Sequence, residues 1–209
     1  MKSNLIRLAN TVISFGFYLH FLYIPMVWFM MLSNYTAPEP VIVTRIEHGV
    51  IKGEEPLYNR NLSAGETYIL QEKSAQIYLR SDAILPFIFF FEVENWSYGS
   101  LGVFSPFFTM ALLWLLMKIF DSLQAGQVFT QQNASRIKWI GWILIGRFLY
   151  SVAVSAALGH YLESFKLPYE WARGAMPDAL NLHMGILVLC IGLVYQKGVE
   201  LKQEAELVV

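Results

Sequence analysis

Apolar residues gather in four long runs: Thr11 to Leu32 ("TVISFGFYLHFLYIPMVWFMML"), about Leu101 to Phe120, Ile140 to Tyr161 and Ala179 to Tyr195, each bounded by charges or by Gly and Pro. A helix rises about 1.5 Å per residue, so roughly 20 residues cross a hydrocarbon core about 30 Å thick. Each run is therefore expected to be a transmembrane helix. The first follows Lys2 and Arg7, as a cleaved signal peptide would. It is too long for the apolar region of such a peptide and no A-x-A follows it, so an anchor is expected.

Between the first two runs, Ser33 to Ser100 changes pattern. "VIVTRI", "TYIL" and "QIYLR" are short β-branched and aromatic stretches, separated by the turn-rich "EHGVIKGEEP", "NRNLSAGE" and "QEKSA". They predict a small antiparallel β layer. "AILPFIFFF" (Ala83 to Phe91) is too short to span and is stopped by Glu92 and Glu94. It reads as a buried strand or as an interfacial segment, with Pro86 arguing against a central strand.

Basic residues orient this layout. Lys2, Arg7, Lys118, Arg136, Lys138, Lys197 and Lys202 lie at the ends and in the short connector 121–138, against Lys166 and Arg173 in the connector 163–178. The positive-inside rule then places both termini in the cytoplasm and segment 33–100 outside. The expected fold is a mainly α membrane protein, a four-helix transmembrane bundle with a small β-rich extracytoplasmic insertion between helices 1 and 2. It divides into 1–32 (N-terminus and helix 1), 33–100 (insertion), 101–198 (helices 2 to 4) and a cytoplasmic tail, 199–209.

Composition agrees with the membrane class: 56% of the 209 residues are hydrophobic and 15% aromatic, with a mean hydropathy of +0.44, too apolar for a soluble globule. A net charge of -1 gives no basic footprint for direct nucleic-acid binding. The single cysteine, Cys190, offers neither a disulfide framework nor a zinc cluster.

The connector has specific punctuation. Gly126 can end the second helix, Thr130 can cap the third, and Asn133 stands three residues after it. Arg136 and Lys138 then fall at the membrane face, where long stems lie along lipid and the charges reach phosphate. Together these residues describe a helical hairpin turn with a cytoplasmic anchor.

The stretch "GQVFTQQNASRIKWIGW" and the ending "YQKGVELKQEAELVV" resemble a bacterial membrane family known as domain of unknown function 2975. The resemblance falls on Gly126, Phe129, Thr130 and Asn133 in the connector, and on Gly198, Glu200, Leu201, Glu206 and Leu207 near the end. It implies an integral protein of the bacterial inner membrane, often encoded beside a small Cro/CI-type helix-turn-helix regulator, and it carries over no catalytic or cofactor residue. With Arg136, these positions other than Gly198 form the expected partner-binding surface.

Arg147 lies nine residues beyond Lys138, roughly 13 Å along a helix, near the middle of the bilayer. His20 falls at comparable depth in the first run and is the expected acceptor for its guanidinium. Ser151, Ser155 and Gly159 continue the Arg147 face at steps of four, a small-residue stripe suited to helix contact. His160 and Glu163, with Asp178 and His183, have residue types that suit zinc, but histidines and carboxylates also collect at helix ends as ordinary interfacial residues. No Ser-His-Asp spacing, Gly-rich phosphate loop or H-E-x-x-H is present, so neither enzyme activity nor a cofactor is expected. The expected function is a non-enzymatic membrane sensor or anchor that binds the cytoplasmic regulator. The alternative is a small transporter or immunity-type protein that handles a hydrophobic or peptide ligand through Arg147 and His20.

Overall fold

The computed structural model describes residues 2–36, 41–47, 50–51, 60–61, 67–71, 74–79, 84–90, 102–163, 169–170 and 179–207. The chain is mainly helical. Four long helices dominate: α1 (Lys2–Tyr35), α3 (Ser105–Gln124), α4 (Gln131–Glu163) and α5 (Leu180–Leu207), with a short α2 (Ile84–Phe90) between the first two. A 3-10 turn, Gly102–Phe104, leads into α3.

All four long helices have the length and composition to cross a membrane. Their outer faces are greasy in a way water would not tolerate: Leu22, Phe29 and Val194 are 72%, 73% and 73% exposed, and lipid is the solvent such surfaces need. The chain is thus a multi-pass membrane protein. The helices outrun the apolar stretches that reveal them. α1 starts at Lys2 rather than Thr11, α4 at Gln131 rather than Ile140, and α5 ends at Leu207 rather than Tyr195. Lys, Gln, Glu and Ala sustain a helix as well as Leu does, so only the apolar run, and not the helix, stops at the bilayer surface. The segment expected to be a polar tail therefore continues α5 as far as Leu207.

Within 33–100 the described residues include short extended segments. Val41–Glu47 pairs antiparallel with Ser74–Leu79, which pairs antiparallel with Thr67–Gln71. The strand alternative for "AILPFIFFF" is corrected: Ile84–Phe90 is helical. Pro86 is its third residue, within the first turn, where a missing N–H removes no helical hydrogen bond.

The chain separates into two compact units: residues 1–23, 106–149 and 178–209, and residues 24–105 and 150–177. In the second unit, Val27, Met31, Phe87 and Val103 are buried. Phe104 gathers Trp28, Phe89 and Tyr150 around it at ring separations of 6.1, 5.8 and 6.2 Å, and Phe87 meets Tyr35 edge-on at 5.4 Å.

In the first unit the helices run antiparallel. Asn10 donates to Asp121 at 2.9 Å, and Gly16 lies against Leu113, so α1 and α3 pass in opposite directions. α4 and α5 do the same through glycines. A Cβ built on Gly141 would fall 2.9 Å from the Gly185 carbonyl oxygen and 2.6 Å from Leu189 Cγ; one on Gly192 would fall 2.7 Å from Lys138 Cγ. Small residues let backbones approach where no hydrophobic force drives helices together. The stripe expected at Ser151, Ser155 and Gly159 is not where this contact occurs: Ser151 and Ser155 are half-buried, and the side of Gly159 lies outside the described residues.

Replacing Gly185 with Val should lower the unfolding free energy in detergent by about 1 to 3 kcal/mol through overpacking. Gly146, where an added Cβ would meet nothing within 4 Å, should tolerate Ala without loss. Equal effects at the two positions would refute the close α4–α5 contact.

Candidate functional site

The six residues from Ala125 to Thr130 join α3 to α4, and almost every one has a defined polar task. α3 ends in a Schellman motif: the Gly126 amide donates to Leu123 O at 3.1 Å and the Gln127 amide to Ser122 O at 2.9 Å. This geometry needs a left-handed residue between helix and turn, and Gly126 supplies it with φ 76°. Four residues on, Thr130 caps α4. Its Oγ1 accepts from the Asn133 amide at 3.2 Å, and its carbonyl accepts the first helical bond, from Ala134, at 3.1 Å.

Asn133 ties the two ends together. Only 1% exposed, it directs Nδ2 at Ser122 Oγ (2.9 Å), Gln127 O (3.0 Å) and Val128 O (3.2 Å). Two amide hydrogens serve three acceptors, so at least one is shared. Its Oδ1 accepts from Arg136, and the same Arg136 nitrogen also donates to Lys118 O, both at 2.9 Å. Ser122 Oγ in turn donates to Gln127 O at 2.7 Å. The turn is therefore closed on itself from Lys118 to Arg136.

α5 is fastened to the outside of this knot. The Tyr195 hydroxyl donates to Val128 O, and its ring stacks on Phe129 at 5.4 Å and 23°. Lys138 Nζ donates to Gln196 Oε1 at 2.7 Å, Gln196 Nε2 to Glu200 Oε1 at 3.2 Å, and Lys197 Nζ to Glu200 Oε2 at 3.0 Å. Beyond, Lys202 and Glu206 pair at 3.6 Å. Such exposed i,i+3 and i,i+4 pairs contribute about 0.5 kcal/mol or less each. They hold a helix more than they attract a partner.

The connector residues Gly126, Phe129, Thr130, Asn133 and Arg136 thus share one site with α5 at Tyr195 to Glu200. Leu201, Glu206 and Leu207 continue along the exposed end of α5, with Leu201 55% and Leu207 87% exposed. Sequence reading missed Ser122, Tyr195 and Gln196. Ser122 stands eleven residues before Asn133 across a turn, and Tyr195 lies 67 residues beyond Val128, so no local spacing could have paired them.

The intramembrane pair is not formed. His20 Nδ1 lies 2.9 Å from the carbonyl of Gly16, one turn earlier on its own helix, while Arg147 Nε is enclosed without a hydrogen-bond partner. Comparable depth placed both residues at one level without aiming one at the other. His160 is exposed in the last turn of α4, and His183 Nδ1 contacts Ala179 O at 2.7 Å in the first turn of α5. Among the described residues no three metal-ligating side chains come together; the Glu163 side chain and Asp178 lie outside them.

The family described as "Protein of unknown function (DUF2975)" matches residues 90–209, more than half of the chain, including the connector and all of α5. No curated protein and no solved structure matches it.

Asn133→Leu should destabilise the protein by about 2 to 3 kcal/mol, because the half-buried Arg136 guanidinium loses one of its two acceptors and a hydroxyl and two carbonyls lose a donor. Thr130→Val, which removes only the cap, should cost about 1 kcal/mol. Denaturant titration in micelles checks both, and a loss at Asn133 no greater than that at Thr130 would contradict its bridging role.

Proposed function

The chain belongs to the family described as "Protein of unknown function (DUF2975)", and on that premise we propose that it is a non-enzymatic membrane sensor or anchor whose connector end docks a small cytoplasmic helix-turn-helix regulator. In this reading both termini face the cytoplasm, and segment 33–100 is a β-rich layer on the outer side that receives the signal. One observation supports it: the connector shares a site with α5 at Tyr195 to Glu200, from which α5 continues as an exposed helix that carries Leu201, Glu206 and Leu207.

A turn needs Gly126, Thr130 and Asn133 for its shape. It has no need of Leu201 and Leu207, which stand exposed among charges. An exposed helix with apolar anchors suits docking into a groove of a soluble partner. The half-exposed ring of Phe129, held against Tyr195, presents a rigid aromatic contact beside it, of the kind that dominates interface energies. The charged residues of the arm would act on capture rate more than on affinity.

Deleting Glu200 to Val209 should leave membrane insertion intact and abolish co-purification of a helix-turn-helix protein, and Phe129→Ala should weaken it. If the truncated chain captures the same regulator as the parent, the docking surface is elsewhere. Reporter fusions after Gly126 and after Val209 should behave as cytoplasmic, and one near Asn61 as external. The reverse pattern would turn the protein over in the membrane and remove the site from the regulator.

A further inference from the structure

Six large apolar residues of α1, Leu5, Leu8, Val12, Phe15, Leu19 and Leu22, follow one another at steps of three and four, and all are between 49% and 72% exposed. They fill the a and d positions of three heptads, the pattern of a helix–helix seam. α1 meets α3 elsewhere: Asn10 bonds Asp121 from the side opposite the seam, and Gly16 faces Leu113 from its edge. Lipid would cover any exposed apolar face, but two features of this one exceed what lipid requires. Asn4, Arg7 and Thr11 border it on one side, and the small Ala9 and Gly16 on the other. They narrow the apolar surface to the a/d strip that distinguishes a coiled-coil seam from a wider buried face. The strip also outruns the apolar stretch. Leu5 stands six residues, roughly 9 Å along the helix, before Thr11, among Lys2, Ser3, Asn4 and Arg7, and it keeps the phase of the rest.

We propose that α1 packs along this seam against α1 of a second copy of the chain, in a parallel two-fold dimer. Copies inserted in one membrane in the same sense can lay α1 on α1 only in parallel, and a two-fold contact uses the same surface on both. In such a pair the g positions of one helix pass the e positions of the other. Here these are Asn4, Thr11 and Tyr18 against Ala9, Gly16 and Tyr23. None is charged, so identical copies meet without the like-charge repulsion that turns a helix away from itself. Large side chains set into the facing helix gain the close packing that drives association in a bilayer. The seam shares no residue with the proposed regulator surface, so either can fail without the other.

Disulfide trapping of the full chain in lipid vesicles reads the seam directly, because two thiols join only where their Cα atoms come within about 7 Å. Cys190, exposed on α5, is first replaced by Ser. In that background Leu8→Cys, Val12→Cys, Phe15→Cys and Leu19→Cys should each give a cross-linked dimer under mild oxidant. Phe21→Cys, 60% exposed but off the seam, should give none. Cross-linking at Phe21 equal to that at Leu19, or none at any seam position, overturns the proposal. Native mass spectrometry of the unaltered chain from mild detergent should show a dimer. Phe15→Ala, which removes a ring from both copies, should weaken it roughly tenfold, about 1.4 kcal/mol. Val194→Ala, at a position 73% exposed on α5, should leave it unchanged. A monomeric parent, with lipid alone on the seam, overturns the proposal whether or not the cysteine variants fold.

Discussion

A single carboxamide, that of Asn133, sets the arrangement on which the connector end of this protein depends. Lipid tails are as apolar as the side chains they meet, so burial of Leu or Phe gives helices little reason to associate in a membrane. Polar groups with no water to turn to do give such a reason. Asn133 satisfies the end of α3, the turn and the start of α4 at once, and through Arg136 reaches back a further turn into α3. The carboxamide itself is buried, and a buried donor or acceptor left unmade costs more than a hydrogen bond contributes.

The α4–α5 contact uses the other means available in lipid, close approach of backbones. Gly141 and Gly185 bring two helices together deep in the unit, and Gly192 lets α5 pass the stem of Lys138 nearer the connector. That approach brings Tyr195 to Val128 and Phe129, and Gln196 to Lys138. The exposed end of α5 is then directed by a fixed base. Dispersion at the glycines and hydrogen bonds at the turn act on the same helix at different depths, which is why one connector can hold two helix pairs.

Much of this was legible in the sequence. The four apolar runs announced the four helices, and Gly126, Thr130 and Asn133 announced the turn by residue type and offset, because positive φ, capping and a third-position donor are local requirements. Helix ends were less legible, since Gln131 and Lys202 favour helix without being apolar. The partners of Asn133 and Tyr195 were illegible because they lie across a turn or on another helix. Arg147 and His20 show the limit from the other side: depth along a helix can be counted, but the direction a side chain takes depends on neighbours that counting does not supply. The glycines of α4 and α5 were visible as residues in apolar runs, yet nothing local distinguished Gly141, in close contact, from Gly146, in open space.

The turn and α5 form one coupled unit, because Asn133 and Tyr195 both donate to Val128 O. A double-mutant cycle of Asn133→Ala and Tyr195→Phe, followed by denaturant titration in micelles, measures that coupling. Shared partners predict an interaction energy of about 0.5 kcal/mol or more, whereas independent sites add to within about 0.3 to 0.5 kcal/mol. Losses that sum without residue would show that the turn folds the same way whether or not α5 is fastened to it, and the single-unit account would be wrong.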